Sequence, residues 1–494
     1  MAAFIAEPHR FAVLHSAGRQ ALTSAYWALV AGYIGFMLTR WKASLAPYLT
    51  RPMLTLLCLG FASGLPAPLV FSNLSIWLRD DGVSRTDIGL FALAATPYAI
   101  NFLWAPLVDR LRLPFFTARF GQRRGWALFA QVWLLLAILW MSLSDPGEHL
   151  LMMALAVLLV TTASATQDIV IDAYRIDILD PSRYAAGSAV AIWGWHIGGT
   201  LVGGAGGLML ASAFGWAAAY QVLAVAVLVG MLAILLSPEP QRAMVARLDQ
   251  QQQLLEQQWR ERWGSVAGLL AWMQVAVVAP FVEFMRRDGA WLVLAFVFIF
   301  KLGDAMLGRM SGVFYRELGF SLEQIAEVSK VYGFAANMFG VFLGGLLAAR
   351  IGVLRTLFLS GLATASTNLL YALLALVGQQ KAMLVLAVAA DNFTTGLVTV
   401  AFVAYLSSLC NHAYTATQYA LLASLGNLAR IWLSAASGAM VDGLDGDWAT
   451  FFVWTALIAL LGLPLLIWLL LRFPAHTEEA RIADPGDDDN GKTL

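Results

Sequence analysis

Cysteine is nearly missing from this chain. Cys58 and Cys410 are its only two in 494 residues, far apart and each in or beside an apolar segment. That spacing suits neither a disulfide framework, an iron–sulfur cluster nor a zinc finger. The six histidines are scattered, with no HExxH pair, and no GxxxxGK[ST] loop occurs, so ATP hydrolysis on this chain is not expected. No nucleophile–base or metal constellation stands out, which argues against an enzyme. Charge is scarce too, at 13% against roughly 25% in a soluble domain. The formal net charge is zero and gives no pointer to nucleic acid. No cofactor, metal or nucleic-acid partner is expected.

What remains is apolar: 60% of the residues, with 18 Trp and 28 Phe, the composition of an all-α polytopic membrane protein. A spanning helix needs about 20 mostly apolar residues. Twelve such spans fall near 53–74, 87–108, 124–144, 150–178, 184–212, 216–236, 290–312, 322–348, 354–378, 382–409, 414–441 and 449–472. The loop 109–125 holds Arg110, Arg112, Arg119, Arg123 and Arg124 with one acid, whereas the loop 442–447 is purely acidic. Arginine-rich short loops face the cytoplasm, so both ends of the twelve-span core are expected inside the cell.

Residues 1–52 form an extension whose run 22–38 is an interfacial or additional helix; a start of translation at Met37 is a further expectation. Residues 53–236 and 290–472 make two six-helix halves. Between them, 237–289 is a linker in which Trp259, Trp263, Val266, Leu269, Leu270 and Met273 recur at helical spacing, the pattern of one amphipathic helix in the cytoplasmic interface. The tail 473–494 is polar and acidic and is expected to be disordered.

The two halves repeat. Arg79-Asp-Asp-Gly-Val-Ser-Arg-Thr-Asp-Ile88 matches Arg316-Glu-Leu-Gly-Phe-Ser-Leu-Glu-Gln-Ile325 at an offset of 237 residues. Asp109-Arg110 followed by Arg123-Arg124 has its counterpart in Arg350 and Arg355, with Ala349 in place of Asp109. Two six-span copies in one orientation are the architecture of the major facilitator superfamily. The arginine loops either form a gating ion-pair latch or anchor to anionic lipid.

Chemistry is sought among polar residues inside spans, which are costly there. Asp168, Asp172 and Arg175 share a narrow sector of the fourth span at about 100° per residue, with Asp177 on the opposite face. They either line a polar cavity or lock helix to helix as an ion pair. The seventh span carries Lys301 and Asp304 one turn apart, and then Arg309, the tenth Asp391, and the eleventh Asn427 and Arg430. Asp391 has no cation within a turn of its own helix. A lone buried acid is the natural proton carrier, because its charged form is costly in a low dielectric. Pro66, Pro68, Pro97 with Tyr98, and Pro106 mark bends. In the fifth span the glycines from Gly198 to Gly207 suit close helix packing, and Trp193 and Trp195 suit either sugar rings or lipid.

Several stretches resemble the AmpG family of muropeptide permeases. They are Gly60-Phe-Ala-Ser-Gly-Leu-Pro66, Phe102-Leu-Trp-Ala-Pro-Leu107, Arg123-Arg-Gly-Trp126, Ser164-Ala-Thr-Gln-Asp-Ile-Val-Ile-Asp-Ala173, Val277-Val-Ala-Pro280, Lys301-Leu-Gly-Asp304 and Ala416-Thr-Gln-Tyr-Ala-Leu-Leu422, in family order from about 53 to 472. The resemblance implies a bacterial inner-membrane importer of N-acetylglucosaminyl-anhydro-N-acetylmuramyl peptides for peptidoglycan recycling, driven by the proton gradient; a monomer is expected. By the same resemblance Gln167, Asp168, Asp172, Lys301 and Asp304 line the polar cavity. The family pattern has Lys where Asn101 stands and Arg where His196 stands, so the chain is poorer in cavity cations. Related permeases import ferric siderophores, which is the alternative cargo.

Overall fold

The computed structural model describes residues 46–240 and 243–472, except for some side chains inside those limits. The expectations for 1–45 and for the tail 473–494 lie outside the described residues. The chain divides at Thr50. In the first unit Ala46–Leu49 is a short 3-10 turn; everything below concerns the second.

All regular structure among the described residues is helical. Among the described residues eleven stretches are long and apolar enough to cross a membrane. Ten of them, all but Leu248–Met285, coincide with expected core spans: Arg51–Asp80, Gln122–Ser142, Leu150–Ile178, Pro181–Phe214, Trp216–Leu235, Ala290–Glu317, Val331–Ile351, Val353–Val377, Lys381–Ser408 and Trp448–Arg472. The second span is assembled from short helical pieces between Arg85–Leu90 and Ala105–Arg110, with Pro97 and Pro106 each in the first turn of a piece. The eleventh is Thr415–Ala435 followed by Ser437–Gly443.

Each half has its own apolar core: Leu65, Leu74, Leu134, Val157 and Tyr220 in the first, Phe314, Tyr371, Leu384, Phe451 and Phe452 in the second. In a bilayer such cores gain by close packing rather than by leaving water. The first and fifth spans show how close. A Cβ on Gly194 would strike the Leu57 carbonyl, and one on Gly198 the Phe61 carbonyl. Just beyond, the fifth span widens into π-helical turns over Ile197–Gly206, and the Asn73 amide donates to the Gly203 carbonyl at 2.8 Å.

The sequence repeat is a geometric repeat. Gly82 and Gly319 both take left-handed backbone, φ 80° and 93°, ending the first and seventh spans. The residue after each, Val83 or Phe320, bonds back to Leu78 or Tyr315, closing a Schellman turn. Ser84 and Ser321 then cap the next helix, accepting from the Asp87 and Gln324 amides, both at 3.1 Å. At the same end, the tryptophan that begins the last span of each half donates its indole N–H to repeat-equivalent acids. Trp216 reaches Asp80 at 2.9 Å and Trp448 reaches Glu317 at 2.8 Å.

The linker departs from expectation. It is not one interfacial helix through 259–273. Helix Ala243–Trp263 ends, the chain reverses at Gly264 (φ 55°), and a second arm runs on from Ala267–Met273 to Ala279–Met285. The arms pack together through Leu248, Leu255, Val275 and Ala279, and seat against Ala413 and Tyr414 in the loop before the eleventh span. Apolar residues on both arms keep the helical spacing going through the turn, and only glycine accommodates that backbone readily. The stretch Leu248–Met285 is therefore a helical hairpin, not a single span.

Candidate functional site

The fourth span presents different chemistry on different faces. Asp168 is half-buried and accepts from the Ser63 hydroxyl of the first span at 2.6 Å. One turn on, Asp172 pairs with Arg175 at 2.9 Å while keeping 35% of its side chain exposed. The ion pair read from the sequence is therefore made, but its acid still faces open space. Arg175 is buried. It donates to Ser188 at 2.6 Å and to Ser407 of the tenth span at 3.0 Å, and lies over the Tyr419 ring. Gln167 points elsewhere: fully buried, its amide donates to the Ala62 carbonyl at 2.9 Å.

Near the end of the same helix Asp177 faces the other way and joins a buried latch. Arg123, fully buried, donates Nε to Asp177 at 2.7 Å and a terminal nitrogen to Asp109 at 2.9 Å. Both acids reach across to the second half. Asp177 accepts from the Thr415 hydroxyl at 2.7 Å, and Asp109 accepts from the Thr417 hydroxyl at 2.7 Å and the Thr417 amide at 2.9 Å. The first turn of the eleventh span, with amides that no helix satisfies internally, is thus capped by carboxylates of the other half. Around it, Arg110 pairs with Asp249 of the linker hairpin at 2.9 Å. Gln418 donates to Glu283 of the hairpin's second arm at 2.5 Å. Arg124 is spent within its own half, donating to the Ile234 and Leu235 carbonyls that end the sixth span. Arg350 and Arg355 of the second copy are exposed.

Nearer the middle of the seam, Asn101 accepts from Ser424 of the eleventh span at 3.2 Å. His196 bonds its own helix through the Ile192 carbonyl, with its ring 5.1 Å from Trp195 and 6.1 Å from Phe334 of the second half. Trp193 and Trp195 are 37% and 40% exposed. Tyr98 is half-buried in the second span, its ring centre 6.3 Å from that of Phe71. The Arg430 side chain lies outside the described residues.

Lys301, Asp304 and Asp391 gather inside the second half, apart from the fourth-span acids. Lys301 stands at a break in the seventh span, donating to Thr399 at 3.3 Å and lying 5.5 Å from the Phe402 ring centre. With Asp304 it lines a small pocket beside Gly361, Thr364 and Val398. Asp391 meets the Tyr371 hydroxyl at 3.5 Å.

Two repeated six-span halves, joined by a seam that buried ion pairs close at one end, define a secondary transporter. The Major Facilitator Superfamily profile matches residues 53–315. The anhydromuropeptide permease of Escherichia coli (strain K12) is 35% identical over 414 residues, 83% of this chain and 78% of that protein. The putative transporter AmpG 4 of Rickettsia felis is 33% identical over 413 residues, 83% and 94% of the two chains. Among solved structures, the proton:xylose symporter XylE aligns with TM-score 0.61 at 12% identity, covering 87% of this chain and 96% of that one. The human organic anion transporter MFSD10 aligns with TM-score 0.57 at 18% identity, covering 85% and 99%. These two show the fold alone. The chain belongs to the Major Facilitator Superfamily and, within it, to the AmpG family.

Proposed function

We propose that this permease imports anhydromuropeptides across the bacterial inner membrane, driven by the proton gradient, with the arginine loops and both ends of the core in the cytoplasm. The cargo reading is carried by the 35% identity, over 83% of the chain, to a protein named anhydromuropeptide permease. Alternating access is supported by the latch of Asp109, Arg123 and Asp177 on Thr415 and Thr417. With that end sealed, cargo enters from the acidic-loop side, and rocking of the halves must break the latch to release it inward. Asp172, Asn101 and His196 offer polar groups to the cargo, and exposed Trp193 and Trp195 offer flat faces to its sugar rings. One chain supplies both sides of the seam, so it works as a monomer.

The test is uptake of radiolabelled anhydromuropeptide by membrane vesicles, against a ferric siderophore, with and without a proton ionophore. Ionophore-sensitive accumulation of the muropeptide alone is expected. Accumulation of the siderophore instead transfers the fold to the alternative cargo, and accumulation of neither rejects both.

A further inference from the structure

Asp391 is a buried acid with an unusual shell. It is 9% exposed, about ten residues into the tenth span, or about 15 Å from that helix's acidic-loop end. Among the described residues its Oδ1 has no hydrogen-bond partner, and its Oδ2 meets only the Tyr371 hydroxyl, at 3.5 Å. No cation pairs with it among the described residues. Tyr371 in turn lies 2.9 Å, hydroxyl to hydroxyl, from Tyr315. Tyr315 is two residues short of Glu317, where the seventh span ends on the acidic-loop side, and sits beside the half-buried Ser311. Tyr315 is 5% exposed, so hydroxyl, hydroxyl and carboxylate form a buried line that starts just inside that end.

The titratable groups facing Asp391 are Asp304 and Tyr315 from the seventh span and Tyr371 from the ninth. The described part of the eighth span, packed on the tenth, brings Asn337, whose amide goes to the Asn392 carbonyl. An ionised carboxylate lacking cation and full hydrogen bonding is costly at membrane depth. A neutral carboxylic acid there is cheap, and it also gains a donor.

We propose that Asp391 is the proton-binding acid of this permease, loaded from the acidic-loop side through Tyr315 and Tyr371, and that it stands outside the cargo path. The transfer is a relay: Asp391 takes the Tyr371 proton, Tyr371 takes that of Tyr315, and Tyr315 takes one from a hydronium ion on the acidic-loop side, which leaves as water, so both tyrosines end unchanged. The inference rests on the proton-driven reading above but not on the cargo. It separates two duties. The fourth-span acids at the seam meet cargo, and the second half's interior holds the driving ion.

The test uses full-length protein reconstituted in lipid. A buried protonated carboxyl gives an infrared C=O stretch that shifts in D2O. Asp391→Asn should abolish that band and Asp168→Asn should leave it, whatever the cargo proves to be. In the same vesicles Asp391→Asn should lose accumulation down to the ionophore-treated level yet keep equilibrium exchange of anhydromuropeptide. Tyr371→Phe should slow loading with exchange unchanged. A band that survives Asp391→Asn overturns the assignment, and loss of exchange as well as accumulation places Asp391 in the cargo path and overturns it too. If Asp391→Asn does not fold, Asp391→Glu must move the band; an unmoved band is again decisive against. Loss of the band in a protein whose parent takes up no muropeptide rejects the cargo alone.

Discussion

Thr417 gives both its hydroxyl and its backbone N–H to Asp109, at 2.7 and 2.9 Å, across the seam between the halves. Helix amides normally find their caps within a few residues of their own chain. Here the cap comes from a different six-helix body, so the bond lasts only while that end is shut.

Asp109→Asn should therefore open the seam. Removing one partner of a buried ion pair costs about 3–5 kcal/mol, comparable with the roughly 5.5 kcal/mol that inverts a two-state population. A cysteine placed at Ala416, in a background lacking Cys58 and Cys410, should be alkylated faster in the variant. An unchanged rate would mean that the latch does not control this end.

Arg123 touches two acids with two different nitrogens, a task for which lysine has one point charge and no fork. Arg123→Lys should lose most of the transport and lower the thermal midpoint in detergent. Arg123→Ala, stranding two buried acids, should cost about 3–5 kcal/mol. Retention of parent-like uptake by the lysine variant would reduce Arg123 to a source of charge.

Asp168 has a second test built into its surroundings. Asparagine can still accept from Ser63, so Asp168→Asn should fold and express normally while coupled uptake is abolished. Poor folding of this variant, read as a lowered thermal midpoint, would assign Asp168 to helix locking instead.

The indole bonds Trp216–Asp80 and Trp448–Glu317 occupy equivalent places in the two halves. Trp216→Phe and Trp448→Phe should each destabilise by about 1 kcal/mol, with similar shifts in thermal unfolding and little change in cargo affinity. A loss confined to one of them would show that the halves do not share this construction.

Much of this was legible in the residues. Span count, the repeat and the Asp172–Arg175 sector follow from periodicity, which the bilayer enforces because backbone groups must be satisfied within helices. Partners across the seam were not. Asp177 and the Ala416-Thr-Gln motif are both visible in the chain, but nothing local says that Asp177 meets Thr415, 238 positions away. Gln167 adjoins Asp168 in sequence, yet successive helical residues diverge by about 100°, which turns Gln167 onto the first span. The sector of Arg175 points to Asp172, but its contacts with Ser407 and Tyr419 come from the other half and have no local sign.

The second copy of the arginine loop has Ala349 where the first has Asp109, and its Arg350 and Arg355 are exposed. The first half's own fifth span begins at Pro181, a residue with no amide hydrogen to offer. In the closed latch the first half supplies the bolt and the second the socket. The duplicated bodies have become mutually dependent, and the lock is a property of their covalent union rather than of the repeat.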